Sequence, residues 1–142
     1  MTTYVIDASV AVKWIINETK RMEAIRFLNP EISRIAPDFI AYECLAAIQK
    51  KVTRNEIGEE AGWRCYSTLI KEIPLELIDS SSLTHRAFQL ANIIGHAIYD
   101  CFYLALAEDR DAMVVTADRK FYERVKASDY AHLIAWVEKA PK

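Results

Sequence analysis

With 142 residues, 52% of them hydrophobic and 27% charged, the chain has the length and composition of one globular domain with a single well-buried core. A formal net charge of −2 supplies no bulk basic field, which argues against a protein that coats DNA and leaves room for an enzyme with a local basic rim. Three glycines and four prolines leave no composition for a flexible linker, there is no solenoid-like repeat, and no apolar run approaches the roughly 18–20 residues that span a bilayer.

In chain order, Thr3 to Ile6 predicts a short buried strand and Ala8 to Ile16 a mostly apolar helix. Lys20 to Leu28 reads as a second helix that stops at Asn29-Pro30, where proline disfavours continuation. Arg34 to Ala36 is a short strand before Pro37. Asp38 to Arg54 is a long helix with Ala41, Leu45, Ile48 and Val52 on one stripe, and Glu56 to Ile73 another with Trp63, Tyr66, Ile70 and Ile73 on its apolar side. Leu75 to Ile78 is a strand. Ser80, Ser81 and Ser82 offer caps for a helix that runs to about Ile94 and ends at Gly95. Ile98 to Asp109 is helical, Ala112 to Val115 a strand, Arg119 to Ala127 a helix and Leu133 to Val137 a last strand. Cys44, Cys65 and Cys101 are odd in number and each lies in an apolar helical pattern, so they read as reduced core residues. The N-terminus lacks the basic-then-apolar pattern of a signal peptide, and the expectation is one cytoplasmic domain over 1–142 with no membrane contact.

Short apolar strands alternating with helices predict an α/β domain, a central parallel sheet flanked by helices on both faces. In such sheets ligands bind outside the carboxyl ends of the strands, where strand order reverses. Asp7 ends the first strand, and Thr116 and Asp118 lie just past Met113-Val114-Val115. Acids at those two strand ends can converge although they are far apart in sequence.

Four carboxylates sit in apolar company. Asp7 stands between two apolar runs in "YVIDASVAVKW". Asp100 is the only charged residue from Ala97 to Ala107 in a helix that is apolar all round. Glu43 has Phe39, Ile40, Ala46 and Ala47 as wheel neighbours, and Asp118 precedes a helix in "VVTADRKF". Three have a plain structural explanation, Asp100 and Asp118 as helix caps and Glu43 as a solvated residue opposite the main stripe, while Asp7 must be paired, metal-bound or exposed at an edge. Together they are better explained by a shared cation, because buried charges must be paired or metal-bound. Oxygen-only ligands point to Mg²⁺ or Mn²⁺ rather than zinc. His85, His96 and His132 show no metal-ligand spacing and read as surface or capping residues, and there is no phosphate loop, GxGxxG turn or Ser/His/Asp set. Such a cluster supports phosphodiester hydrolysis: a bound ion lowers the pKa of a water and offsets charge developing on the phosphate. The Ser9 and Thr116 hydroxyls are placed to orient this machinery, with plain turn capping as the alternative.

In this order and at these intervals, "VIDASVAVKW", "YECLAAIQK", "YDCFYLALAE" and "VTADRKF" resemble the acidic motifs of PIN-domain ribonucleases. Within that family the chain is similar, over nearly its whole length, to the small toxins of VapC type, which consist of one PIN domain. The resemblance implies a metal-dependent endoribonuclease in which Asp7, Glu43, Asp100 and Asp118 are the metal-binding and catalytic acids, helped by Ser9 and Thr116. It also implies a homodimer and a partner antitoxin whose C-terminal segment covers the groove. The chain departs from the pattern at Ala46, where many relatives carry Asn three residues after the helical glutamate, so a polar support is absent or supplied elsewhere.

Lys13, Lys50, Lys51, Arg54, Arg119 and Lys120 lie near the acidic motifs in sequence; Lys13, Lys50, Arg119 and Lys120 are candidate RNA contacts, with solvated helix faces the plain alternative. Two rivals share the fold: a housekeeping nuclease without antitoxin, and a non-catalytic RNA- or protein-binding dimer. A phosphoacceptor receiver domain fits poorly, since Asp38 follows a proline and "HLIAWVEK" ends on no isolated strand-tip lysine. An antitoxin is expected to bind around residues 38–73 and to insert an Arg or Lys toward the four acids. The side of Trp63, Tyr66 and Ile70 is its candidate groove, with core packing as the alternative for that stripe.

Overall fold

Five strands form the sheet in the computed structural model of this chain, which describes residues 1–141: β1 (Thr2–Ile6), β2 (Ile32–Pro37), β3 (Glu76–Ile78), β4 (Met113–Thr116) and β5 (Ile134–Trp136). Their order is β3-β2-β1-β4-β5, and every pairing is parallel. Val5 pairs with Ile35 on one side and Val114 on the other. A parallel sheet is covered on both faces, so its central strands are apolar throughout. Val5, Ile6, Ala36, Val114 and Val115 are accordingly all fully buried.

Seven α-helices among the described residues cover the sheet: α1 (Ala8–Ile15), α2 (Arg21–Ile25), α3 (Ile40–Thr53), α4 (Glu59–Glu72), α5 (Thr84–Ile94), α6 (Ile98–Asp109) and α7 (Arg119–Lys126). The alternation read from sequence is the observed one. The most buried helix is α6, where Cys101, Tyr103, Leu104, Ala105, Leu106 and Ala107 all face protein, packed against β1, β2, β4 and α5. Among the described residues no single helix is long and apolar enough to cross a membrane.

The structure corrects several local expectations. The helix expected over Lys20 to Leu28 is only α2 followed by a 3₁₀ turn at Arg26–Leu28. The serine run forms a 3₁₀ turn at Ser80–Leu83 that is itself capped by Asp79, whose carboxylate accepts from the Ser81 N–H at 3.0 Å. In α3 the buried residues are Ile40, Cys44 and Ile48, while Leu45 and Val52 are half-buried along the groove beside α4. In α4 the buried residues are Gly62 and Leu69; Tyr66 and Ile73 pack half-buried against the core, while Trp63 and Ile70 are 60% and 48% exposed, so core packing accounts for only half of that stripe. Apolar spacing marks a helix side, but the neighbour that covers it is set by the fold. Cys44 and Cys101 are buried and Cys65 half-buried, all as free thiols.

The chain runs outward from β1 to β2 and β3, then crosses back to β4 and β5 on the other side of β1. The reversal falls between β1 and β4, where the Asp7 N–H donates to the Val115 carbonyl at 3.1 Å. A cleft at the carboxyl ends of these two strands follows from that topology.

Candidate active site

Asp7 is the first residue past β1 and only 5% exposed. It occupies the N-cap position of α1, and its carbonyl accepts from the Val10 and Ala11 N–H groups at 2.9 and 3.1 Å. Its carboxylate does not cap the helix. Oδ2 accepts instead from the Ser9 hydroxyl at 2.5 Å and the Thr116 hydroxyl at 2.8 Å. Both hydroxyls are held in turn: the Ala117 N–H donates to Ser9 Oγ at 2.9 Å and the Asp118 N–H to Thr116 Oγ1 at 3.0 Å. The residues read as helpers thus clasp Asp7 across the β1–β4 junction. No fully buried side-chain oxygen or nitrogen among the described residues lacks a partner, so the second Asp7 oxygen, which accepts no hydrogen bond, is not fully buried.

Burial is the main reason the Asp7 carboxyl is pushed up to about 7; the nearby Asp100 and Glu43 add to the shift, and the two hydroxyls oppose it. Glu43, in the first turn of α3, is also raised, chiefly by burial and then by Asp100. Asp100, in the first turn of α6, is raised by burial and by Asp118, against the opposing effect of His96. These couplings tie the four acids into one electrostatic group.

Two supporting residues escaped the sequence reading. The Tyr103 hydroxyl, on a fully buried ring, donates to Glu43 Oε1 at 2.5 Å. It supplies a polar support to the glutamate where Ala46 does not. His96 Nε2 lies 2.7 Å from Asp100 Oδ2, and its ring stacks on Phe121 at 5.3 Å. His96 is therefore neither a surface residue nor a cap. Gly95 adopts a left-handed conformation (φ 71°) that closes α5 and turns the chain so that His96 and Asp100 meet. The available signal was spacing: Tyr103 and His96 stand three after and four before Asp100, on its own helical face.

Asp118 is exposed and caps α7, its Oδ1 accepting from the Lys120 and Phe121 N–H groups at 3.1 and 3.3 Å. Capping occupies one oxygen only. Asp7 and Asp118 stand at N-caps, and Glu43 and Asp100 in first turns, so each of the four acids lies at the positive end of a helix dipole. This offsets part of the charge concentration. Among the described residues no lysine or arginine forms an ion pair with any of the four.

The donor set is carboxylate and hydroxyl oxygen, the chemistry that suits a hard divalent cation. Among the described residues no three His, Cys, Asp or Glu side chains are drawn together into a preformed metal cluster. The chemistry of the donors fits such an ion.

The basic residues are less uniform. Lys13 pairs with Glu18 at 3.0 Å and Lys51 with the same glutamate at 2.8 Å, so neither stands free. The Arg119 guanidinium lies 4.0 Å from the centre of the Trp136 ring, and Trp136 pairs in register with Thr116. Lys50, Arg54 and Lys120 are exposed.

The PIN domain family profile matches residues 4–127. Ribonuclease VapC3 of Pyrobaculum aerophilum is 27% identical over 128 residues, covering 87% of this chain and 95% of its own. Several solved structures share the fold. Mycobacterium tuberculosis VapC20, a sarcin-ricin loop cleaving toxin, superposes with a TM-score of 0.64 at 10% identity, covering 84% of this chain and 93% of its own. Rickettsia felis VapBC2, bound to a DNA fragment from its promoter, gives 0.64 at 14% identity, covering 95% and 98%. Matched by the family profile from the central strand to the end of the last helix, the chain belongs to the PIN domain family.

Proposed function

We propose that the protein is a Mg²⁺- or Mn²⁺-dependent endoribonuclease and the toxin of a toxin–antitoxin pair. The observation that carries this reading is a buried carboxylate at the sheet's switch point, grouped with three more acids and paired with no lysine or arginine. Its likeness to a relative named ribonuclease VapC3 supports the same reaction. Asp7, Glu43, Asp100 and Asp118 hold the ion, which when bound supplies an activated water and offsets charge on the phosphate.

The chain's own residues set the geometry. Ser9 and Thr116 fix the Asp7 carboxylate in rotation, Tyr103 aims Glu43, and His96 aims Asp100. The cap bonds on Asp118 Oδ1 leave Oδ2 to face the cleft. Arg119, Lys120 and Lys50 are the RNA-backbone contacts, with Lys13 joining them only by releasing Glu18.

Cleavage of RNA by the purified protein tests the proposal. It should require Mg²⁺ or Mn²⁺, leave a 5′-phosphate and a 3′-hydroxyl, and vanish in Asp7→Asn; full cleavage in excess EDTA refutes it. The antitoxin is proposed to seat on α3 and α4, where Trp63 and Ile70 are exposed and a groove of about 330 Å³ is lined by Leu45, Ile48, Val52 and Trp63. An Arg or Lys from it pairs with the four acids. A second copy is proposed to cover Phe88 and Ile93, exposed on α5. Growth arrest on inducing the chain, relieved by co-expressing the neighbouring reading frame, is the expected outcome. Normal growth with folded protein leaves a housekeeping nuclease.

A further inference from the structure

Tyr99 directly precedes Asp100 in the first turn of α6 and is 63% exposed. So open an aromatic ring adds little to the core, yet it is not loose. Phe39 packs edge-on against it, centroids 5.7 Å apart at 76°, and Phe102 lies nearly parallel at 6.4 Å and 23°. Phe39 also packs edge-on against Phe102 at 5.3 Å and stands one helical turn before Glu43. A single aromatic cluster therefore ties the start of α3, which carries Glu43, to the start of α6, which carries Asp100. Its outermost ring faces solvent.

A flat, exposed and braced ring one residue before Asp100, in a cluster whose Phe39 stands one turn before Glu43, is suited to stacking on a nucleobase. Such stacks tolerate any base, and the ring here is already ordered, so little rotamer freedom is lost on binding. A paired base inside a duplex offers no free face. We infer that Tyr99 stacks on one unpaired base next to the phosphate that is cut, and so acts as a positioning residue that sets where a strand is cleaved. This rests on the ribonuclease reading above.

The test uses the full-length protein, its Tyr99→Ala and Tyr99→Phe variants, and short single-stranded RNAs with one abasic site walked along the strand. Tyr99→Ala should raise KM by about ten-fold or more with kcat nearly kept, and Tyr99→Phe should stay within about two-fold of wild type. One abasic position should harm wild type as much as Tyr99→Ala does, with no further loss when the two are combined. In parallel, 2-aminopurine placed at that position should be quenched on binding wild type and Tyr99→Phe but not Tyr99→Ala, a readout that needs no turnover.

Unchanged KM in Tyr99→Ala, equal abasic losses at every position, or no quenching anywhere along the strand overturns the stack while leaving metal-dependent cleavage standing. Quenching by a wild type that cuts no RNA supports the stack and overturns the ribonuclease reading instead. Conversion of a dimer to a monomer by Tyr99→Ala, seen by light scattering, makes the ring a contact between copies and also overturns the stack.

Discussion

Replacing Asp7 with asparagine removes a charge from the most buried of the four acids and keeps its shape. The amide oxygen still accepts from Ser9 and Thr116, which both bond the same carboxylate oxygen. Burial and the neighbouring acids lift this carboxyl from an ordinary 3.8 to about 7. The folded protein therefore holds a proton that the unfolded chain has already released between those two values. The ionised group costs nothing in stability below about pH 4, costs progressively more as the pH rises, and reaches its full cost above about pH 7. A gap of about three pH units corresponds to about 4 kcal/mol at most. Without metal, Asp7→Asn should thus be more stable than wild type at pH 8. Its advantage should widen by about 2–3 kcal/mol between pH 5 and pH 8, or roughly 5–10 °C in Tm for a chain of this length. Urea unfolding of both proteins in EDTA across that range measures the difference; titrating groups remote from the site cancel between them, and the coupled Glu43 and Asp100 are counted with Asp7. An advantage that does not change with pH, or a loss at pH 8, refutes the idea that Asp7 is an uncompensated buried charge.

Asp100→Asn should be at least as stable as wild type in EDTA at pH 8 and should gain less from added Mg²⁺ in a thermal melt, since a ligand of the folded state stabilises by mass action. A clear loss without metal would instead assign Asp100 a purely structural bond with His96. Tyr103→Phe deletes the donor to Glu43 and should cost about 1–2 kcal/mol in stability while cutting RNA cleavage several-fold; an unaffected rate would remove Tyr103 from the site. Gly62→Leu should destabilise by about 1–3 kcal/mol in urea melts, because a Cβ at Gly62 already meets Ile48 at 3.0 Å and Val52 at 3.1 Å. Alkylation of the native protein followed by mass mapping should label Cys65 first. Cys44 and Cys101 are fully buried, and their thiols are pushed up to about 12 and about 11 by burial and nearby acids.

The order of strands and helices was legible in the sequence because parallel strands buried on both faces are short continuous apolar runs. The acids stood out for the same reason: Asp7 and Asp100 are charges where the pattern demands apolar side chains. The closeness of Asp7 to Thr116 followed from placing both strand ends at one edge of the sheet. Spacing along one chain cannot say which element covers a helix side. Hence Trp63 and Ile70, which look like core, face solvent, while Gly62 and Leu69 turn inward. Nor can it show that Tyr103, 60 residues beyond Glu43, delivers its hydroxyl there, or that the left-handed turn at Gly95 brings His96 onto Asp100. Those contacts depend on how α3, α5 and α6 pack against the sheet and one another. Periodicity encodes the burial of a face, whereas the partner of a buried polar group is chosen by the fold.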